Sequence, residues 1–186
     1  MMKNFKTKDM VLLALLMALR IILGRYLAID FGIIRISFGF IVMGFVGYLY
    51  GPTVGFGFGM LGDFLGYWGF PQPFPYFPGY TLSAGLSGFF YGLLLYYKKY
   101  TDSSTKNFNI RIIVVTTITC ILCNVVLGTL WTSIVYGKAF EVLIVPRLLK
   151  NVLCVPIESI VLIASFYYLA VPLRRLRSMT SHNKIF

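Results

Sequence analysis

The sequence predicts an all-α integral membrane protein, a compact bundle of six transmembrane helices that forms a single domain over residues 1–186. Apolar residues make up 58% of the chain and charged residues 12%, which is about half the charged share of a soluble protein. Small residues recur every four positions in two of the apolar runs, a pattern typical of helices packed closely inside a membrane. The length accommodates about six spans and leaves no room for a separate catalytic domain.

The helices are placed where apolar runs meet charged or turn-forming residues. The first is expected to remain uncleaved, because its apolar run contains Arg20 and Arg25 and no small-residue cleavage site follows. Pro52 and Pro146 are expected to begin the third and sixth helices, since proline is favoured at the first helical position. The predicted helices cover residues 9–28, 38–50, 52–70, 80–97, 111–136 and 146–171, and a cytoplasmic tail follows at 172–186.

The basic residues predict the orientation of this bundle. With six spans, the amino terminus, the loop at 98–111 and the carboxyl tail share one side, which holds eleven of the seventeen Lys and Arg residues. Cytoplasmic segments near the ends of spans are enriched in these residues. Both termini are therefore expected in the cytoplasm, and the net charge of +11 reflects topology rather than nucleic-acid binding.

Six basic residues are not explained by orientation: Arg20, Arg25, Arg35, Lys138, Arg147 and Lys150. Cations within or near hydrocarbon are costly and usually face a partner or a cavity. Asp30, Asp63 and Glu141 are available as partners, but three acids cannot neutralise six bases. We expect an electropositive outer pocket suited to an anionic ligand. The alternative is that several of these side chains extend to the lipid headgroups.

An aromatic, proline-rich loop, QPFPYFPGY at 72–80, joins the third and fourth predicted helices. Its rings either belong to an interfacial aromatic belt or form a platform for a flat ligand, and their concentration among prolines favours the platform. Asp63 in the third helix has two interpretations. Its carboxylate could accept two parallel N–H bonds from an amino-pyrimidine edge, or it could pair with Arg20 or Arg25.

Motifs for catalysis are absent from the sequence, which contains no Walker A motif, no His-Glu-x-x-His and no nucleophile elbow. Cys120, Cys123 and Cys154 lie in apolar runs, where helix packing explains them better than disulfides or a redox pair. Glu158 is interpreted as a buried hydrogen-bonding residue, with proton carriage as the alternative. The chain is therefore predicted not to be an enzyme and to hold no cofactor of its own.

Four blocks carry a resemblance to a known family: RISFGF (35–40), GPTVGFGFGMLGDFLG (51–66), FPGYTLSAGLSGFFYG (77–92) and PRLLKN (146–151). They resemble the substrate-binding S components of energy-coupling factor vitamin transporters, in the folate branch. The resemblance implies a multi-pass protein of the bacterial cell membrane that binds its vitamin from outside. It also implies docking on a shared membrane subunit with two ATPases, which use ATP. Ala14 and Ala18 match the small residues through which family members contact that subunit.

Residues and resemblance agree on folate, which has a flat pterin, an aromatic linker and a glutamate with two carboxylates. Three groups of residues are expected to bind it: Arg25, Arg147 and Lys150 at the glutamyl end; Asp63, Thr81 and Ser83 at the pterin edge; and Phe38, Tyr76, Phe77 and Trp131 in stacking or lid contacts. Arg35 and Asn151 complete the predicted site. Three alternatives stay open: an S component for riboflavin, a self-contained proton-coupled transporter, and a membrane scaffold without a small ligand.

Overall fold

The computed structural model describes residues 7–25, 29–30, 35–69, 76–96, 105–137 and 139–181, with side chains over 7–24, 37–69, 76–96, 107–137 and 139–168. The described chain is helical apart from one short strand pair, in which β1 (Ile29–Asp30) and β2 (Arg35–Ile36) run antiparallel. The helical elements are α1 (Thr7–Arg25), α2 (Gly39–Tyr50), α3 (Pro52–Gly69), α4 (Pro78–Leu95), α5 (Thr105–Thr119), a π-helical segment (Cys120–Leu127), α6 (Gly128–Tyr136) and α7 (Phe140–Ser181).

The predicted helical fold class is confirmed, and several helix boundaries differ from the predicted ones. α4 begins at Pro78 rather than residue 80, because this proline occupies the first helical turn that suits its fixed φ. α5 begins at Thr105 rather than residue 111, so its first turns are polar. The π-helical segment then interrupts the run at Cys120 without breaking it, and apolar periodicity alone does not predict this widening.

The predicted start of the last helix at Pro146 is wrong. α7 begins at Phe140 and continues through both Pro146 and Pro156 to Ser181. A proline removes one hydrogen bond, whereas ending a helix in apolar surroundings leaves several carbonyls without partners. The tail predicted at 172–186 is therefore helical as far as Ser181, and residues 182–186 lie outside the described part of the chain.

Two helices in the described part are long and apolar enough to cross a membrane, Asn107–Tyr136 and Phe140–Tyr168. Their mean hydropathies are 2.3 and 1.8. Gly39–Tyr50 is apolar but shorter, at 12 residues. Large apolar side chains on these and the other helices face outward, among them Leu15 on α1 and Val152 on α7, each about two-thirds exposed. The outer surface of the bundle is therefore apolar.

α3 and α4 pack backbone against backbone. A Cβ added at Gly55 or at Gly88 would overlap the carbonyl group of the other residue. A Cβ at Gly59 would overlap the carbonyl of Ala84 in the same way. The predicted ridges of small residues are therefore confirmed as the surface along which these two helices meet.

The apolar core fills one end of the bundle, between α2, α4, α5 and α7. Its most buried members include Val42, Val46, Leu95, Ile112, Val115 and Leu162. Tyr91, 2% exposed, lies at the edge of this core. One helical turn from it, towards Pro78, the side chains of α4 become polar, and an internal cavity begins there.

Candidate functional site

A cavity of about 680 Å³ lies inside the bundle, and every helix contributes to its lining. This volume falls within the range of roughly 300–1,000 Å³ typical of small-molecule sites. Its charged lining residues are Arg20, Asp63, Arg147, Lys150 and Glu158. Three bases against two acids leave a formal excess of one positive charge. The cavity therefore suits an anionic ligand that also carries polar groups.

α7 supplies a stripe of polar side chains to one wall of this cavity. Arg147, Lys150, Asn151, Cys154 and Glu158 all line it, at spacings of three, one, three and four residues. Such spacings place side chains on one face of an α-helix. The eleven positions from Arg147 to Glu158 correspond to about 16 Å along the axis. We call the region of Arg147 and Lys150 the cationic end of the cavity, and the region of Glu158, Cys120 and Tyr91 the acidic end.

At the cationic end the guanidinium of Arg147 is held in a fixed position by neutral groups. One nitrogen donates to the hydroxyl of Thr132 and the other to the carbonyl oxygen of Asn124, 3.4 Å away. Thr132 in turn hydrogen-bonds Tyr80 on α4, with an oxygen–oxygen distance of 2.9 Å. Gly128 leaves the space that this guanidinium fills, since a Cβ there would lie 2.6 Å from Nη1. Arg147 is thus oriented by neutral hydrogen-bond acceptors rather than by a carboxylate that would compensate its charge.

Lys150 lies one turn along the same face of α7 and lines the cavity beside Arg147. Over the described side chains, no carboxylate lies within ion-pairing distance of either residue. Buried or half-buried cations without an acid are costly. The cationic end is therefore best stabilised by an anion that enters from outside the chain.

The acidic end is closed by the apolar core. On α7 the turn after Glu158 brings Leu162, which is 0% exposed, and on α4 the turn after Tyr91 brings Leu95, 1% exposed. The thiol of Cys120 donates to the carboxylate of Glu158, with a sulfur–oxygen distance of 3.5 Å. A ligand that reached this end would be shielded from water on the core side.

The π-helical segment lies against α7 and continues that wall of the cavity. A π-helical turn is wider than an α-helical one and often occurs at functional sites. Cys120, Cys123 and Asn124 from this segment line the cavity, although Cys120 and Cys123 are otherwise buried. Both are free thiols that line the cavity, and Cys120 also donates to Glu158.

A hydrogen-bonded group on α3 and α4 surrounds Asp63. The hydroxyl of Thr81, itself 5% exposed, donates to Oδ2 of Asp63 at 2.9 Å. Thr81 also shares a hydrogen bond of 2.9 Å with the hydroxyl of Tyr76. Arg20, one of the two predicted partners of Asp63, donates to the carbonyl oxygens of Phe58 and Gly59 on α3.

A second group covers Ser83, next to the first. The indole N–H of Trp131 donates to the hydroxyl of Ser83 at 2.9 Å, and the ring centroids of Trp131 and Phe77 are 5.5 Å apart. Gly79 makes room for both rings, because a Cβ there would overlap them. An aromatic pair is therefore fixed above a hydroxyl that lines the cavity.

The structure brings part of the predicted site together. Five predicted residues line the cavity: Asp63, Ser83, Arg147, Lys150 and Asn151. Four others contact these or each other just outside the lining: Thr81, Tyr76, Phe77 and Trp131. Phe38 precedes α2, where its carbonyl accepts from Ile41, and it does not line the cavity. The side chains of Arg25 and Arg35 lie outside the described part.

Sequence reasoning did not assign several lining residues to the site, among them Tyr91, Cys120, Asn124 and Glu158. The three- and four-residue spacing from Arg147 to Glu158 was the signal that could have placed Glu158 there. The predicted start of the helix at Pro146 obscured it, since the stripe then began within an uncertain first turn. Among the described residues, no cluster of three His, Cys, Asp or Glu side chains is arranged to hold a metal ion.

The model of a family described as "ECF transporter, substrate-specific component" matches residues 8–166. The folate transporter FolT of Clostridium novyi (strain NT) is 38% identical over 157 residues, which cover 84% of this chain and 87% of the relative. FolT of Leuconostoc mesenteroides subsp. mesenteroides is 30% identical over 157 residues, with coverages of 82% and 80%.

A solved structure is similar to the whole fold. It is described as the crystal structure of FolT bound with folic acid, and it superposes with a TM-score of 0.72 at 33% sequence identity. The superposition covers 84% of this chain and 90% of the other.

Proposed function

Because the chain belongs to the ECF transporter substrate-specific components, we propose that it binds folate with high affinity at the outer face of a bacterial membrane. The observation that carries the proposal is the cationic end of the cavity. There Arg147 and Lys150 line a space of ligand size, and no described carboxylate is within ion-pairing distance of them. Folate supplies the missing anion, since its glutamate carries two carboxylates. The curated relatives are named folate transporters, which supports the same ligand.

The proposed contacts of the glutamate follow from the orientation of Arg147. Its guanidinium is a planar fork of donors, and such a fork can contact a carboxylate through two parallel N–H bonds. Lys150 adds a second charge one turn away, and Asn151 lies beside it with its amide donating to the carbonyl of Arg147 at 2.8 Å. Arg25 and Arg35, predicted for the same end, have side chains outside the described part and remain candidates.

The aromatic pair of Phe77 and Trp131 is proposed to cover the bound ligand, with Tyr76 beside it. These rings stand where the 71–79 loop joins α4, and Trp131 reaches the cavity through its hydrogen bond to Ser83. Flat aromatic ligands gain favourable stacking against such rings. The linker around residues 30–35 and Phe38 is proposed to close over the site from the other side.

The topology is proposed to comprise six membrane spans with both termini in the cytoplasm. The distribution of Lys and Arg supports this orientation, and the apolar outer surface supports a multi-pass protein. Release of folate into the cell is proposed to require a shared energy-coupling membrane subunit and two ATPase subunits. Ala14 and Ala18 are both exposed on α1 and are the proposed contact with that subunit.

Equilibrium binding to the detergent-purified chain tests the proposal, with the fluorescence of Trp68 and Trp131 as the signal. Folic acid is expected to bind tightly, whereas pteroic acid, which lacks the glutamate, should bind about tenfold or more weakly because it loses charge-assisted hydrogen bonds. Riboflavin, which has no carboxylate, should not compete. Equal affinity for folic and pteroic acid would remove the role of the cationic end. Binding of riboflavin in place of folic acid would contradict the proposed ligand.

A further inference from the structure

Two carboxylates line the cavity, and their surroundings differ. Asp63 already accepts a hydrogen bond of 2.9 Å from the hydroxyl of Thr81. Glu158 accepts from Cys120 at a sulfur–oxygen distance of 3.5 Å, and this thiol is its one hydrogen-bond donor within the described part of the chain. A thiol is a weak donor, while a carboxylate can accept about four hydrogen bonds. Glu158, which is half-buried, therefore has unused acceptor capacity.

The two carboxylates also lie at different levels of the cavity. Asp63 is at the level of Thr81, and the neighbouring Tyr80 is linked through Thr132 to Arg147. Asp63 therefore lies at about the same level along the bundle as Arg147. Glu158 lies at the acidic end, about 16 Å along α7 from Arg147.

This separation matters for an elongated ligand with one anionic end. If the glutamate lies against Arg147 and Lys150, the opposite end of the molecule must lie one ligand length away along the cavity. The closed end contains Glu158, Cys120 and Tyr91. A ligand group at this end should be a hydrogen-bond donor. The carboxylate of Glu158 can only accept hydrogen bonds, and among the described residues only the weak thiol donor of Cys120 donates to it.

We propose that Glu158 recognises the amino-pyrimidine edge of the pterin, its two carboxylate oxygens accepting from the 2-amino group and from N3–H. This inference rests on the proposed folate binding and replaces Asp63 as the acceptor for that edge. The ligand lies along α7, with its glutamate at the cationic end and its pterin at the acidic end. Asp63 instead orients Thr81 and, through it, Tyr76.

A thermodynamic cycle that pairs one change in the protein with one change in the ligand tests this assignment. The affinities of folic acid and 2-desaminofolic acid are measured for the wild type and for Glu158→Gln. The wild type is expected to prefer folic acid by about tenfold or more, since the analogue lacks one of the two donors. Glu158→Gln should lose most of this preference, because an amide presents only one acceptor to the paired donors.

Two matched variants serve as controls. Asp63→Asn makes the same change in charge at the other carboxylate of the cavity, and Glu141→Gln makes it on the exposed surface of α7. Both should keep the wild-type preference for folic acid over its 2-desamino analogue. Pteroic acid provides a further readout, since Glu158→Gln should retain the wild-type preference for folic over pteroic acid. A merely structural role of Glu158 would weaken all these ligands alike.

The outcomes separate the two proposals. Suppose that folic acid binds the wild type. If Glu158→Gln keeps the preference for folic acid over 2-desaminofolic acid, or if Asp63→Asn loses that preference, the assignment to Glu158 is wrong and folate binding stands. If the wild type shows no saturable binding of folic acid, both fail. If Glu158→Gln does not fold, Glu158→Asp tests the assignment instead. This variant keeps the negative charge but moves the carboxylate away from the ligand by the length of one methylene group. Wild-type affinity for folic acid in Glu158→Asp would overturn the assignment.

Discussion

The cavity has two walls that are built in opposite ways. Where α3 and α4 meet, they have almost no side chains between them, and the backbone of Gly55 touches that of Gly88. α7 makes few such approaches and instead projects charged and polar side chains from Arg147 to Glu158. The α3–α4 wall therefore sets the shape of the cavity, because its glycines allow the two backbones to meet. The α7 wall is suited to select the ligand through the chemistry of its polar side chains.

This difference implies that the two walls respond differently to substitution. A change on the α3–α4 wall should alter stability and affect all ligands together. A change on α7 should alter the preference among ligands and leave the fold intact.

The largest effect is expected from Gly88→Val. Its side chain would overlap the carbonyl of Gly55 and the methyl group of Met43, so α3 and α4 would have to separate. Overpacking of this kind against rigid backbone should cost about 3 kcal/mol or more. The measurement is the thermal unfolding midpoint of the detergent-purified protein, together with its yield from membranes. We expect a large fall in both.

Gly57→Ala is the matched control on α3, because nothing lies within 4 Å of a Cβ added there. Its midpoint should stay the same or rise slightly, since alanine is about 0.5–1 kcal/mol more favourable than glycine inside a helix. If Gly88→Val were as stable as Gly57→Ala, close packing would not be what holds this wall together.

A smaller and more selective effect is expected from Lys150→Ala. Folic acid should bind about tenfold or more weakly because a charge-assisted contact with its glutamate is lost. Pteroic acid should be affected much less, and the unfolding midpoint should change little. Lys8→Ala removes an exposed lysine from α1 and serves as the control. Equal losses for folic and pteroic acid would mean that Lys150 supports the fold rather than the ligand.

The sequence predicted the α3–α4 wall well because its signal is local. Glycines and alanine at four-residue intervals imply a flat helix surface, and Gly55, Gly59, Ala84 and Gly88 make the contacts expected of them. The cationic end was also predictable, since Arg147 and Lys150 had no topological explanation. In both cases the signal lies in the residue type and its spacing along the chain: glycine permits close helix packing, and a cation in apolar surroundings is costly. Neither inference requires knowledge of the residue's neighbours in space.

The acidic end was less accessible to sequence reasoning. Placing Glu158 in the cavity requires the rotation of α7 relative to the π-helical segment, and neither the continuation of α7 through Pro146 nor the π-helical widening at Cys120 has a clear sequence signal. Asp63 was assigned to the ligand because it was a lone acid in an apolar run. Its hydrogen bond with Thr81 depends on the register of α3 against α4, which only the packed structure supplies.

The central claim is that folate lies along α7 between the cationic and acidic ends. A crystal structure of this chain with folic acid tests it most directly. We predict that the glutamate carboxylates lie within hydrogen-bonding distance of Arg147 and Lys150, and that the pterin 2-amino group and N3 lie within hydrogen-bonding distance of Glu158. A pterin bound to Asp63, or a glutamate directed towards Glu158, would contradict this account.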